Sequence, residues 1–130
     1  MIEFHLDGRS GVPTYLQLVQ QVRQAVRLGI LHPGDQLPTV KDVVGSLTIN
    51  ANTVLKAYRE LDRAGLVEAR RGLGTFVASD ARAQPADHLD ELRSSLSGWI
   101  DRARAAGLDD EGLAALFADA IRPTAVARVA

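Results

Sequence analysis

The sequence contains no cysteine, so it can form neither a disulfide framework nor a thiolate metal site. It also lacks any apolar run near the roughly 20 residues that a helix needs to cross a bilayer, and residues 1–5 lack the basic and apolar regions of a signal peptide. The three histidines are scattered, and no nucleophile stands in a recognisable catalytic turn. We therefore expect a cytoplasmic protein that is not an enzyme, with no cofactor, metal site, catalytic residue or membrane contact.

A large excess of one charge is absent as well, since the net charge is −1. The charge is unevenly divided, however: residues 1–79 carry +2 and residues 80–130 carry −3. With 46% hydrophobic residues, the 130-residue chain suits either one domain with a real core or one small domain and an appendage. The excess positive charge therefore lies in the first part of the chain, although the asymmetry is modest.

Residues 37–77 predict a short helix, a turn, a longer helix and a two-stranded hairpin. Thr39 is a good N-cap for the first helix, with Asp42 three residues on. Asn50 caps the second helix, and Gly65 ends it after residue 64. Each helix has an apolar stripe at helical spacing. The expected stripes are Val40, Val43, Val44 and Leu47 on the first helix, and Val54, Ala57, Tyr58 and Leu61 on the second.

The other face of the second helix is polar and basic, with Asn52, Lys56, Arg59 and Arg63 at helical spacing. In the major groove, an asparagine can pair with adenine and a lysine can approach guanine. Taken alone, this pattern is more often only the solvated face of a surface helix. The hairpin favours DNA binding, because Arg70 and Arg71 at its tip would reach phosphates or the minor groove.

Together these elements predict a mainly α fold with a small β-hairpin wing, a winged helix-turn-helix domain. The motifs PGDQLPTVK at 33–41, NTV at 52–54, LDRAGLV at 61–67 and RGLGTFV at 71–77 resemble those of the GntR family of bacterial transcription regulators. The resemblance runs from about residue 12 to residue 78. It implies that the protein binds double-stranded operator DNA.

The resemblance also implies which residues contact DNA. Lys41 is assigned to phosphate, the start of the second helix to the groove with Thr53 on the DNA backbone, and the hairpin tip to the flanking phosphates or the minor groove. The full set of expected DNA contacts is Thr39, Lys41, Asn50, Ala51, Asn52, Thr53, Lys56, Arg70, Arg71 and Gly72. Ala51 departs from the arginine of many members, and Thr48 stands where the family usually has glycine. If Thr48 keeps a positive φ, it is strained.

Before the motif, residues 1–12 are expected to form an extended arm, and Pro13 with Thr14 opens a first helix. This helix is expected to serve as a scaffold for the two helices that follow, against which its apolar stripe packs. The apolar residues of this stripe are Tyr15, Val19, Val22, Val26 and Ile30, with Gln17, Gln20, Gln24 and Arg27 outside it.

After the motif, residues 80–87 are expected to be a linker between a DNA-binding domain at 1–79 and a two-helix dimerisation domain at 88–130. The first of these helices carries a heptad-like apolar seam that requires a partner. Its residues are Leu89, Leu92, Leu96, Trp99 and Ala103, followed by Ala106. The second is expected to have Leu113, Leu116, Phe117, Ala120 and Ile121 as its apolar side. An intramolecular helical hairpin is the alternative to a homodimer.

So short a C-terminal domain resembles the YtrA subfamily. That resemblance implies a homodimeric repressor of a palindromic operator, controlling its own operon together with an ABC transporter. It also implies a small-molecule effector, which the sequence does not name. The alternative function is a winged-helix protein-interaction module that does not bind DNA, which the net negative charge would favour.

Overall fold

The structure is a computed structural model that describes residues 2–81 and 88–123. It divides into two compact units, residues 1–86 and 87–130. The described residues form five helices and one hairpin, and no helix among them is long and apolar enough to span a bilayer. The elements are α1 (Thr14–Arg27), α2 (Val40–Leu47), α3 (Ala51–Arg63), β1 (Val67–Arg70), β2 (Gly74–Val77), α4 (Leu89–Ala105) and α5 (Asp110–Ile121).

The core of the first unit lies where α1 packs on α3, and α3 also packs on α2 and β1. Leu18 and Leu61 are fully buried at this centre. Full burial of a leucine side chain stabilises the fold by about 1.5–3 kcal/mol. The α3 stripe was predicted correctly, since Val54, Ala57, Tyr58 and Leu61 are all buried. On α2 only Val43 is fully buried, while Val40, Val44 and Leu47 are half-buried against the core.

Both predicted caps of the helix-turn-helix form. The hydroxyl of Thr39 accepts the N–H of Asp42 at 3.1 Å, and the side-chain oxygen of Asn50 accepts the N–H of Asn52 at 2.7 Å. Between the two helices, Thr48 has φ 55° and ψ 49°. Thr48 therefore stands in the left-handed region, where a β-branched residue is strained.

The wing pairs β1 with β2 in antiparallel register, from Val67 opposite Val77 to Arg70 opposite Gly74. The segment before α2 also pairs with β2 through a single β-bridge, which was not predicted from the sequence. Gln36 forms a bridge to Phe76, and the N–H of Leu37 donates to the carbonyl of Thr75 at 2.8 Å. The wing is therefore anchored to the chain that leads into α2.

Residues 2–12, predicted as an extended arm, lie along α1, with Phe4 buried in the core. Glutamine side chains on α1 pair with the backbone of the arm. The amide of Gln17 accepts the N–H of Asp7 at 2.8 Å and donates to the carbonyl of Asp7 at 3.0 Å. Gln21 makes the same two kinds of bond with His5. The prediction that Gln17 lies outside the buried stripe was wrong, because the arm covers it.

The predicted apolar stripe of α1 was wrong at its last member, Ile30. The helix stops at Arg27 with Leu28 as C-cap, and Gly29 follows with φ 75°. This turn leaves Ile30 50% exposed, while Leu31 is buried at 2%. A helical stripe extrapolated past the glycine therefore chose the wrong apolar residue.

The second unit contains α4 and α5, joined by a short turn. Asp109 caps α5, accepting the N–H of Gly112 at 2.8 Å, and Arg104 pairs with Asp110 at 2.8 Å. Ala103 and Leu113 are buried. Residues 82–87 of the predicted linker and the tail at 124–130 lie outside the described residues.

Candidate nucleic-acid interface

The first turns of α3 present the residues predicted to enter a groove. Ala51 and Asn52 are exposed, and Thr53 is half-buried. Asn50 is exposed, but its side-chain oxygen caps the helix. The side-chain amide of Asn52 has no described hydrogen-bond partner, so it can pair with a base edge, whereas the side-chain oxygen of Asn50 is already engaged in the helix cap.

Lys56, one turn further along α3, is exposed but has a partner within the protein. Its ammonium lies 4.0 Å from the centre of the Tyr15 ring, at the start of α1. A lysine over an aromatic face is held by a cation–π attraction. The prediction treated Lys56 as an unengaged member of the basic face, and this contact between two helices far apart in sequence was missed.

Further along the same face, Arg63 pairs with Glu60 at 2.9 Å. Arg59 instead borders a shallow groove shared by three elements. That groove is lined by Arg59 and Leu55 on α3, Val40 on α2, and Ala69 and Thr75 on the wing, among others. The two helices and the hairpin thus form one continuous surface on this side.

At the start of α2, Thr39 and Lys41 are both exposed. The hydroxyl of Thr39 already accepts the N–H of Asp42, and its proton can still donate to an outside acceptor such as a phosphate. Lys41 has no described carboxylate within ion-pair distance. Lys41 is therefore the residue here best suited to a phosphate.

The two arginines of the wing differ in their surroundings. The guanidinium of Arg70 lies 4.5 Å from the centre of the Phe76 ring and 3.1 Å from Glu68. Arg71 is exposed in the turn, with no described carboxylate paired to it. Gly72 follows with φ 76°. Arg70 is thus partly satisfied within the wing, while the charge of Arg71 is unpaired.

Gln36, which the sequence did not single out, holds the turn of the wing. Its side-chain amide donates to the carbonyl of Leu73 at 3.2 Å, and the N–H of Leu73 donates to the backbone carbonyl of Arg70 at 2.9 Å. Gly74 has φ 127°, and a Cβ there would come within 2.6 Å of the Gln36 amide nitrogen. The wing tip is therefore fixed on both sides of Leu73.

Tyr58 joins α3 to the segment before α2. Its phenol donates to the carbonyl of Pro38 at 2.6 Å. Burial raises the pKa of Tyr58 above its ordinary value, and the nearby charge of Asp42 raises it further. The neutral phenol therefore stays bonded at physiological pH and ties α3 to the segment that leads into α2. Among residues 2–81 and 88–123, no group of His, Asp and Glu side chains could hold a metal ion.

Comparison with known proteins identifies this arrangement. The family model described as "Bacterial regulatory proteins, gntR family" matches residues 14–77. The chain is 37% identical over 109 residues to the HTH-type transcriptional repressor YtrA of Bacillus subtilis. The aligned region covers 83% of this chain and 84% of the relative. The chain belongs to the GntR family.

Solved GntR-type structures agree with the fold. YtrA from Sulfolobus acidocaldarius, a GntR-family transcription factor, has a TM-score of 0.56 at 29% identity, covering 78% of this chain and 97% of that chain. AraR(DBD) in complex with operator ORX1 has a TM-score of 0.52 at 26% identity, covering 59% of this chain and 96% of that one. The protein is thus a GntR-family transcription regulator with a winged-helix DNA-binding domain, not an enzyme.

Proposed function

We propose that the protein is a homodimeric repressor that binds a palindromic operator in the cytoplasm. The observation that carries this proposal is the pairing of a capped α3, exposing Asn52 and Lys56, with a fixed wing exposing Arg71. A recognition helix and a rigid basic wing can engage the major groove and the flanking backbone at the same time.

Each residue has a role that follows from its surroundings. Asn52 reads a base edge in the major groove, because its amide is exposed and has no described partner. Lys56 contacts a base or phosphate nearby, and Ala51 packs on a thymine methyl. Asn50 and Thr53, at the start of α3, lie beside the DNA backbone.

Lys41 and Arg71 supply the phosphate contacts on either side of α3, because their charges have no described carboxylate partner. Thr39 adds its hydroxyl proton, and Gly72 lets the turn approach the backbone closely. Arg70 contributes less to phosphate binding, since Glu68 and Phe76 already hold its guanidinium. A protein that neutralises several phosphates binds DNA more weakly as salt rises.

The second unit is proposed to form the dimer. Leu92 and Leu96 on α4 are 54% and 43% exposed, and Phe117 and Ile121 on α5 are 47% and 64% exposed. Apolar side chains clustered on so small a unit favour burial against a second copy. Leu89, Leu92, Leu96 and Trp99 of the predicted seam would lie at that interface, whereas Ala103 is already buried within the unit. Two linked DNA-binding domains gain affinity by binding two half-sites at once.

The regulated genes are proposed by similarity. YtrA of Bacillus subtilis is a transcriptional repressor, and the resemblance to its subfamily points to the protein's own operon and an ABC transporter. A small-molecule effector that releases the operator is part of the same proposal.

Selection from a random DNA library would test the proposal. We expect a palindromic motif whose half-sites lie about one helical turn apart. Leu96→Asp should dissociate the dimer in sedimentation experiments and weaken binding to the full site more than to a half-site. Ile30→Asp adds the same charge at a 50% exposed apolar position of the first unit and should do neither. Recovery of no motif would favour a protein-interaction module instead.

A further inference from the structure

The contact between Tyr15 and Lys56 joins the first turn of α1 to the second turn of α3. The lysine ammonium lies 4.0 Å from the ring centre, and the ring is half-buried against the core. The ring is therefore held by the fold, whereas the lysine belongs to the exposed face of α3. A fixed group thus touches a flexible one at the edge of the candidate interface.

We propose that Tyr15 is a positioning residue for DNA binding, which holds the Lys56 ammonium where it meets the DNA. This inference rests on the proposed function, because it requires that Lys56 contacts DNA. Tyr15 stands outside the helix-turn-helix and the wing. Its part in recognition would therefore be indirect, through the lysine.

The physical argument concerns the freedom of the lysine side chain. Lysine is a flexible four-carbon stem that loses rotamer freedom when it is held in one place. The negative face of the Tyr15 ring attracts the ammonium, so part of that freedom is lost before DNA arrives. An ammonium has three donors, and the ring covers only one side of it. The remaining N–H groups can still bond to a phosphate or a base.

The expected size of the effect follows from measured cation–π contacts. At exposed sites such a contact changes an equilibrium about two- to fivefold. Loss of the ring should therefore weaken operator binding by about that factor per protomer. A ring that instead diverts Lys56 from DNA would have the opposite effect, and its loss would strengthen binding.

A double-mutant cycle on the full chain tests the inference. Operator affinity is measured for the unchanged protein, Tyr15→Leu, Lys56→Gln and the double variant. We expect Tyr15→Leu to weaken binding about two- to fivefold when Lys56 is present and to have almost no effect with Lys56→Gln. Tyr15→Phe keeps the ring face and should bind within about twofold of the unchanged protein.

A matched variant separates positioning from simple loss of packing. Leu16, the next residue, is also half-buried against the core. Leu16→Ala should lower the thermal stability as much as Tyr15→Leu does, yet leave the effect of Lys56→Gln on binding unchanged. The cycle thus provides a readout that a merely structural role would not move.

Several outcomes would overturn the inference. They are additive effects of Tyr15→Leu and Lys56→Gln, equal losses for Tyr15→Phe and Tyr15→Leu, and tighter binding by Tyr15→Leu. If Lys56→Gln alone binds as the unchanged protein does, the assignment of Lys56 to DNA is wrong, and the inference fails with it. If no variant, including the unchanged protein, selects an operator, the proposed function itself has failed.

Discussion

Replacing Thr48 with glycine should stabilise the protein. Thr48 is exposed and has φ 55° and ψ 49° in the turn between α2 and α3. A non-glycine residue in the left-handed region costs about 1–2 kcal/mol. Glycine removes that strain but adds about 0.5–1 kcal/mol of backbone entropy to the unfolded chain. The net expectation is a gain of about 0.5–1 kcal/mol in the free energy of unfolding.

Thermal unfolding followed by far-UV circular dichroism is the suitable assay. Fluorescence would report on the wrong unit, because the one tryptophan of the sequence, Trp99, lies on α4. For a domain of this size, the expected gain raises the Tm by about 2–8 °C. Ser46→Gly is the matched control, because Ser46 is exposed inside α2 with helical backbone. That change should destabilise the protein by about 0.5 kcal/mol, because glycine is the weaker helix former of the two.

The two glycine substitutions therefore have opposite expected signs although they lie two residues apart. A Thr48→Gly variant that is no more stable than the unchanged protein, beside a destabilised Ser46→Gly variant, would refute the reasoning. It would mean that the threonine makes a contact that offsets the strain of its backbone.

Three further predictions concern recognition and the tie between α2 and α3. Arg71→Ala should weaken binding to all DNA sequences and lower the salt slope by about one per protomer in titrations. Arg63 is paired with Glu60, so the control variant Arg63→Ala should leave the slope unchanged. Equal slopes for both variants would contradict the phosphate role. Asn52→Ala should relax base preference at one position of a selected motif, and uniform losses on every sequence would exclude base reading. Tyr58→Phe should cost about 1–3 kcal/mol by leaving the Pro38 carbonyl unpaired. Because burial raises the pKa of Tyr58 in the folded state, the unfolded state ionises first and stability should fall as pH rises above about 10; urea titrations of the Tyr58→Phe variant should show less of this fall.

Local chemistry made the helix-turn-helix predictable. Thr39 and Asn50 each cap with an atom of their own side chain and an amide two or three residues away. Gly65 ends α3 with φ 79°. These bonds need only neighbours in sequence, so the pattern of residue types was enough to place them.

Contacts between distant residues were not predictable in the same way. The burial of Gln17 depends on residues 2–12 lying along α1, which no periodicity indicates. The contact of Lys56 with Tyr15 depends on the packing of α1 against α3. Gln36 reaches the wing only because the chain before α2 pairs with β2.

The apolar seam of α4 remains a prediction. Within the second unit, Ala103 is buried, whereas Leu92 and Leu96 are about half exposed. This distribution fits a surface covered by a second copy, and Leu96→Asp tests it directly.

The central claim is selective, salt-dependent binding of operator DNA by a dimer. The most direct test titrates the full chain against a fluorescent fragment from upstream of its own gene, at two salt concentrations, with unrelated DNA as control. We predict tight binding with two protomers per site, preference over the control, and weaker affinity at the higher salt. Equal affinity for both DNAs, together with failure to select any fragment from the whole genome, would contradict the account.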